Sequence, residues 1–320
     1  MRKLVALAFL GAISSVALAD VNVTGGVGYR NQATEVGAAA KNSVDRYAAE
    51  LVVSSKINDN VNAVVGVRTG SFNSAYTDFG NNANLDSIGV NLAYVDYNVL
   101  DNLKLTLGKM NQPWATASTF LFDRDVKPTG FAASYKNTLG LFANLSQVTV
   151  ADGGVADARV HNIQLGYTKK LMGVDLTGAV GQYDYANVGA QKYKIDQVFV
   201  SAGTKVAGFP VSAFVETLSN SEATSANNNA RAVGIKVGNA VNPHQWDIAI
   251  ADQKVEANAQ YGLWNDSDFA GGQGNYEGKA YTANYVVAKG WVVRAKYFDS
   301  TRGTNKEAYK RTQIDLAYKF

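Results

Sequence analysis

Ile163-Gln-Leu-Gly-Tyr-Thr-Lys-Lys-Leu-Met-Gly-Val-Asp-Leu-Thr-Gly-Ala-Val180 is the stretch that decides the fold class. Ile163, Leu165 and Tyr167 share one parity, while Gln164, Gly166 and Thr168 share the other. After a turn at 170–173 the alternation resumes with Val174, Leu176, Gly178 and Val180. A period of two places an apolar row and a polar row on opposite faces of a strand. A short turn between two such runs joins them as an antiparallel hairpin.

The same grammar extends in both directions. Upstream it appears in Val21/Val23/Val27/Tyr29, Tyr47/Ala49/Leu51/Val53, Val61/Ala63/Val65/Val67, Ile88/Val90/Leu92/Tyr94, Leu103/Leu105/Leu107, Phe131/Ala133/Tyr135 and Leu139/Leu141/Ala143/Leu145. Downstream it continues in Val198/Val200/Ala202, Val211/Ala213/Val215, Val233/Ile235/Val237, Trp246/Ile248/Ile250, Tyr281/Ala283/Tyr285/Val287, Trp291/Val293/Ala295/Tyr297 and Ile314/Leu316/Tyr318/Phe320. About sixteen strands follow from this period, and helical periodicity is not seen beyond the first segment.

The connections alternate in length. Short turns are expected at 58–60, 100–102, 137–138, 170–173, 206–208, 239–243 and 288–290. Long polar loops are expected near 31–44, 73–86, 111–128, 151–157, 186–192, 219–229, 256–277 and 300–309. This rhythm is that of an all-β, transmembrane, antiparallel up-and-down β-barrel with short periplasmic turns and long extracellular loops. In lipid, every backbone donor and acceptor must be paired within the protein, so a sheet that spans must close. Aromatic residues at strand ends, among them Tyr29, Tyr47, Tyr94, Tyr97, Tyr135, Tyr167, Trp246, Trp291, Tyr297, Tyr318 and Phe320, suit interfacial girdles. The enrichment of aromatics in strands generally is the other reading of the same residues.

Composition agrees with one apolar and one wet surface. The 320 residues include 17 Tyr, 30 Gly and 4 Pro, with 18% charged residues, below the roughly 25% of soluble chains. There is no Cys, so disulfides and thiolate metal sites are excluded, and with two histidines (His161 and His244) no histidine-rich metal site is expected. No cofactor is expected.

Residues 1–19 read as a signal peptide. Arg2 and Lys3 precede an apolar run, and Ala17-Leu18-Ala19 before Asp20 matches a small-x-small cleavage pattern. Residues 20–320 are then one barrel domain. Without Arg2 and Lys3 the 30 basic residues become 28 against 27 acidic, a net charge of +1, which argues against a nucleic-acid partner.

The polar parity carries Arg68, Lys104, Lys236, Arg294, Lys296 and Lys319 together with Glu216, Asp247 and Asp315. These are candidate pore-wall residues of mixed sign, with no one-sided row. Sixteen strands enclose a lumen too wide for side chains to fill. The loop at 111–128 is unusually apolar for an exposed connection. Trp114, Phe120, Phe122, Asp123, Arg124, Asp125 and Lys127 are its candidate constriction residues if it folds into the lumen. Packing of its aromatics on the rim is the alternative.

Three segments carry a family resemblance. Ala93-Tyr-Val-Asp-Tyr97 is followed by Leu105-Thr-Leu-Gly-Lys-Met-Asn-Gln-Pro-Trp114, Phe122-Asp-Arg-Asp125 and Gly130-Phe-Ala132. Asn265-Asp-Ser-Asp-Phe269, Gly271-Gly272 and Tyr281-Thr-Ala-Asn-Tyr285 form the second segment, and Gln313-Ile-Asp-Leu-Ala-Tyr-Lys-Phe320 the third. Together they resemble the putative-porin family of Gram-negative outer membranes and, more distantly, phosphate-selective porins. The resemblance implies an outer-membrane channel for passive diffusion of small hydrophilic solutes or ions, and a homotrimer. It also implies contact with outer-membrane lipid and lipopolysaccharide, and an assembly signal at Ile314, Leu316, Tyr318 and Phe320 read by the barrel assembly machinery. The one-sided basic ladder of phosphate-selective porins has no counterpart in this sequence.

Several rival readings stay on the table. A barrel with a structural, adhesive or surface-binding role and no open channel is one, with the polar loops 219–229 and 265–276 as its contact surfaces. A lipid hydrolase would need a serine beside His161 or His244, and neither histidine has an evident nucleophile at its level, so no enzyme is expected. A soluble extracellular sandwich is the third. Asp266 and Asp268 lack the regular ligand spacing of calcium loops, and 265–276 is read as a flexible loop.

Overall fold

The computed structural model describes residues 21–71, 74–78, 88–149, 158–188, 191–272 and 274–320. The expected signal peptide, with Ala17, Ala19 and Asp20, lies outside the described residues, as does most of the expected loops at 73–86 and 151–157.

Among the described residues, sixteen antiparallel strands form one closed barrel. In chain order they are β1 (Val21–Val36), β2 (Asn42–Lys56), β3 (Val61–Arg68), β4 (Gly89–Leu100), β5 (Leu103–Lys109), β6 (Thr129–Lys136), β7 (Leu141–Thr149) and β8 (Arg159–Leu171). The second half comprises β9 (Val174–Ala186), β10 (Tyr193–Val206), β11 (Phe209–Asn220), β12 (Asn229–Gly238), β13 (Trp246–Val255), β14 (Tyr276–Ala288), β15 (Trp291–Arg302) and β16 (Glu307–Lys319). A two-residue strand, Thr77–Asp78, pairs with β2 beyond the end of β3. Each strand pairs with its sequence neighbour, and β1 closes on β16 from Gly26 opposite Lys319 to Val36 opposite Tyr309. Closure joins the first of the sixteen strands to the last, which is the condition for crossing lipid.

The alternation fixes which side chains face out. Leu107, Leu165, Val180, Val200 and Ile248 are exposed on the outer wall, while Thr106, Gln164, Gln197 and Asp247 are buried within. Outward aromatics include Tyr29, Tyr97, Tyr167, Trp246, Tyr281, Tyr285 and Trp291, the last with its ring 5.0 Å from that of Tyr318. Two inner turns need left-handed backbone at both central residues: Met172-Gly173 and Ala207-Gly208, with φ of 49° and 83° in each. Such turns match the twist of the strands they join.

The structure corrects the sequence reading in two places. Loops expected near 31–44 and 300–309 are mostly strand, leaving connections of 37–41 and 303–306. Their polar residues do not interrupt the ladder: Asn31, Gln32 and Thr34 pair with Ile314, Gln313 and Arg311, and Ser300 and Thr301 with Tyr309 and Ala308. In β4 the apolar parity does not run through. Gly66 pairs with Leu92 but Val67 with Val90, so Asn91 is an extra residue in β4. A bulge of one residue exchanges the two faces. Leu92 and Tyr94 therefore share the inner side with Val64, and Tyr94 is not part of an outer girdle.

Candidate pore constriction

Two outer loops cross the lumen and meet. Outer loop 3 (110–128) joins β5 to β6, and outer loop 7 (256–275) joins β13 to β14. Both carry aromatic side chains that water would not hold open. Trp114, Phe120 and Phe122 from loop 3 and Trp264 and Phe269 from loop 7 are all buried. Phe122 stacks on Trp264 with ring centroids 5.8 Å apart, and Trp264 stacks on Tyr185 of β9 at 5.2 Å. Trp114 meets Tyr183 of the same strand edge-on at 5.5 Å. Burying a large aromatic side chain contributes roughly 1.5–3 kcal/mol, so this cluster is the main apolar anchor of both loops.

Polar contacts fix loop 3 against the far wall. The Ala115 N–H donates to Gln164 Oε1 at 2.9 Å, and Gln164 Nε2 donates back to the Ala115 carbonyl at 2.7 Å. The Ser118 N–H and hydroxyl both donate to one carboxylate oxygen of Glu216, each at 2.7 Å, and the Ala117 N–H donates to the same oxygen at 3.2 Å. Glu216 is fully buried on β11. A buried carboxylate is tolerable only with such donors around it.

Loop 7 is held by charge on the opposite side. Asp268 accepts from Gln313 Nε2 at 2.7 Å and lies 3.2 Å from Arg311 Nη1, 3.3 Å from Lys296 Nζ and 3.7 Å from Arg30 Nη1. Burial works against its charge, but Lys296, Arg30 and Arg311 hold the carboxyl well below the usual carboxylate range. Arg30 also grips Asp315 with two hydrogen bonds of 2.7 and 2.9 Å, and its guanidinium lies 3.8 Å from the ring centre of Tyr76. Arg294 Nη1 lies 3.9 Å from Asp315. Three cations on the adjacent strands β15, β16 and β1 thus face the loop 7 carboxylate.

Between the loops, Asp123 sits against Asp266. Burial pushes the Asp123 carboxyl up to about 8, helped by the nearby charges of Asp266 and Asp125. Burial and then Asp268 also raise Asp266, which accepts from the Thr119 hydroxyl at 2.8 Å.

The expected site residues divide among several places. Trp114, Phe120 and Phe122 pack into the aromatic cluster and hold the loop. Asp125 leaves that cluster and pairs with Arg68 of β3 at 2.8 Å. Arg124 is exposed, and its carbonyl accepts from Lys127 Nζ at 2.7 Å. Lys104 of β5, Lys236 of β12, and Arg294 and Lys296 of β15 face inward, and Lys104 lies 3.5 Å from Asp96. At the seam, the Gly25 and Phe320 backbones exchange two hydrogen bonds of 3.1 Å, with Ile314, Leu316 and Phe320 exposed on the outer wall.

Sequence reasoning placed a long loop at 256–277 but missed that it docks in the lumen, and it missed Gln164, Arg30 and Arg311. The reading of 265–276 as a flexible loop does not hold, because Asp268 and Phe269 are tied down on both sides. Trp264 and Phe269 carried the same signal as Trp114 and Phe122: aromatics in a connection too apolar to lie in water. Arg30 lies one residue beyond the expected end of the first run, and Arg311 just past an expected loop.

The profile of a family described as putative porin matches residues 17–207. No curated protein matches the chain in sequence. Among solved structures, the high-pH form of Pseudomonas putida OprB is similar with a TM-score of 0.71 at 11% identity, over 98% of this chain and 97% of that one. Salmonella typhi OmpF in complex with daunomycin is similar with a TM-score of 0.62 at 13% identity, over 94% and 97%. Pseudomonas aeruginosa OpdQ is similar with a TM-score of 0.55 at 8% identity, over 94% and 99%. At such identities these likenesses speak for the fold, and the family match, which covers more than half of the residues, for kinship. The chain belongs to the putative porin family, whose members are channels of the outer membrane.

Proposed function

We propose that this porin lets small hydrophilic solutes or ions diffuse passively between its inner wall and the docked loops 3 and 7. The observation that carries the reading is the closed barrel of sixteen strands with a polar inner wall crossed by two anchored loops. Such a tube needs no energy source and no chemistry, and we read the protein as a channel rather than an enzyme. His161 lies on the outer wall of β8, and His244 sits at an inner turn beside the Tyr285 hydroxyl at 3.2 Å. Liposome swelling with sugars of increasing size tests the reading. Uptake that falls with solute size is expected, and liposomes that stay shut to every solute argue for the rival.

That rival is a barrel with a structural or adhesive role and no open channel. The extent to which loops 3 and 7 fill the lumen is the observation that favours it.

The low wall supports a homotrimer. Strands β3, β5 and β6 have 8, 7 and 8 residues. A tilted strand needs roughly 9–11 residues to cross the hydrocarbon layer. A second copy of the chain against this side would cover what lipid cannot. Export through the segment 1–19, recognition of the Ile314-to-Phe320 pattern by the barrel assembly machinery, and contact of the taller wall with lipopolysaccharide complete the proposal.

A further inference from the structure

The outer end of β3 to β6 holds a pocket of about 300 Å³ that the loop contacts described above leave open. Arg68, Lys109, Lys127 and Asp125 bring four charged groups to its lining. The carboxylate is already engaged: Asp125 pairs with Arg68 Nη1 at 2.8 Å and accepts from the Ala75 N–H at 3.2 Å. Glu50 approaches from β2 and accepts from Asn91 at 3.0 Å. Three cations thus face two carboxylates, one of them tied to Arg68.

The lysines are placed differently from Arg68. Lys109 Nζ donates to the Val90 carbonyl at 2.8 Å, and Lys127 Nζ to the Arg124 carbonyl at 2.7 Å. Each of these acceptors is neutral, and an ammonium carries three donors. Burial pulls the Lys127 proton affinity down and Arg68 adds to this, with Asp125 and Glu50 acting the other way. An anion entering the pocket would find donors in place and would relieve repulsion among the cations.

We propose that this pocket binds a small oxyanion, a carboxylate or phosphate group held by Lys109 and Lys127 with Arg68 behind them. Its volume is at the lower end for small-molecule sites, which suits a compact solute or a single headgroup. A solute in transit and a lipid headgroup of the outer leaflet present the same chemistry. The proposal does not require the channel to be open.

The test is calorimetric titration of inorganic phosphate into the purified full-length protein in neutral detergent. Saturable binding is expected. Lys109→Met and Lys127→Met should each weaken it about tenfold, as loss of one charged hydrogen-bond donor does. Lys109→Arg, Lys127→Arg and the distant Lys192→Met should bind like the parent and show that substitution itself does no harm. Repeating the titration in bilayer discs separates the sources. Weaker phosphate binding when a phosphatidate is present assigns the pocket to a headgroup, and equal binding assigns it to a solute. Absence of saturable binding, or equal affinity in folded Lys109→Met and Lys127→Met proteins, overturns the proposal. Conductance of the same samples reports on the channel independently, so a conducting barrel without phosphate binding loses this pocket alone.

Discussion

The backbone N–H of Asp123 in loop 3 donates to the carbonyl of Trp264 in loop 7 at 2.7 Å. This bond ties two connections that leave the barrel from well-separated strands. Around it, the Ser267 N–H donates to the Asp123 carboxylate at 3.3 Å and the rings of Phe122 and Trp264 stack. The two loops therefore behave as one plate, and disturbing either should loosen both.

Trp264→Ala should open the lumen. The side chain is fully buried, and truncating a buried Trp typically costs about 3–5 kcal/mol. That cost falls on loop docking, because the strands pair without it. Single-channel recording should show larger or noisier steps, while circular dichroism should keep the strand signal of the parent.

Glu216→Ala should free the tip of loop 3. It leaves the Ala117 and Ser118 N–H groups and the Ser118 hydroxyl without their acceptor, at about 1–3 kcal/mol for each donor left buried. Glu216→Gln keeps a carbonyl acceptor and should fall between the two. Limited proteolysis at 115–122 is the readout, with faster cleavage expected in the order Ala, Gln, parent.

Asp268→Asn should turn the pore toward anions. It removes the charge that faces Lys296, Arg311 and Arg30, and while Arg30 keeps Asp315, Lys296 and Arg311 lose their carboxylate on one side of the lumen. The reversal potential in a salt gradient should move in the direction of anion preference. No movement would mean that permeating ions do not pass this wall.

Docking of the plate should weaken as pH rises from about 4 to about 8. Asp123 titrates near 8 in the docked loop and near its ordinary 3.8 when free. Between these values the docked state holds a proton that the free state lacks, so raising pH favours the free state, and the effect levels off above about 8. The groups facing Asp123 are Asp266, Asp125 and the N–H of Ser267, and Asp266 shifts in the same direction. Asp268 keeps its charge throughout this window. Conductance should climb with pH, and Asp123→Asn should flatten the climb. A fall in conductance over this range would refute the assignment.

Much of the fold was legible because the strand period is local. Ile163, Leu165 and Tyr167 declare their face without reference to any partner. The errors arose where local pattern and pairing part company. Leu92 and Tyr94 continue an apolar parity by sequence, but the extra residue at Asn91 turns them inward. Asn31, Gln32 and Thr34 look like a loop yet pair with β16 and β2. The candidate constriction was half legible. Loop 3 stood out through Trp114, Phe120 and Phe122, whereas Glu216 and Gln164 looked like ordinary wall residues. Nothing in their neighbourhoods announces that a loop from β5 will reach them across the lumen, since that contact is set by closure of the sheet.

Single-channel conductance in planar bilayers, compared between the parent and a variant lacking 115–122, tests the central claim most directly. A wet tube narrowed by a docked loop predicts discrete current steps in the parent and larger steps in the variant. Equal steps in the two proteins, or none in either when both are folded, would contradict it.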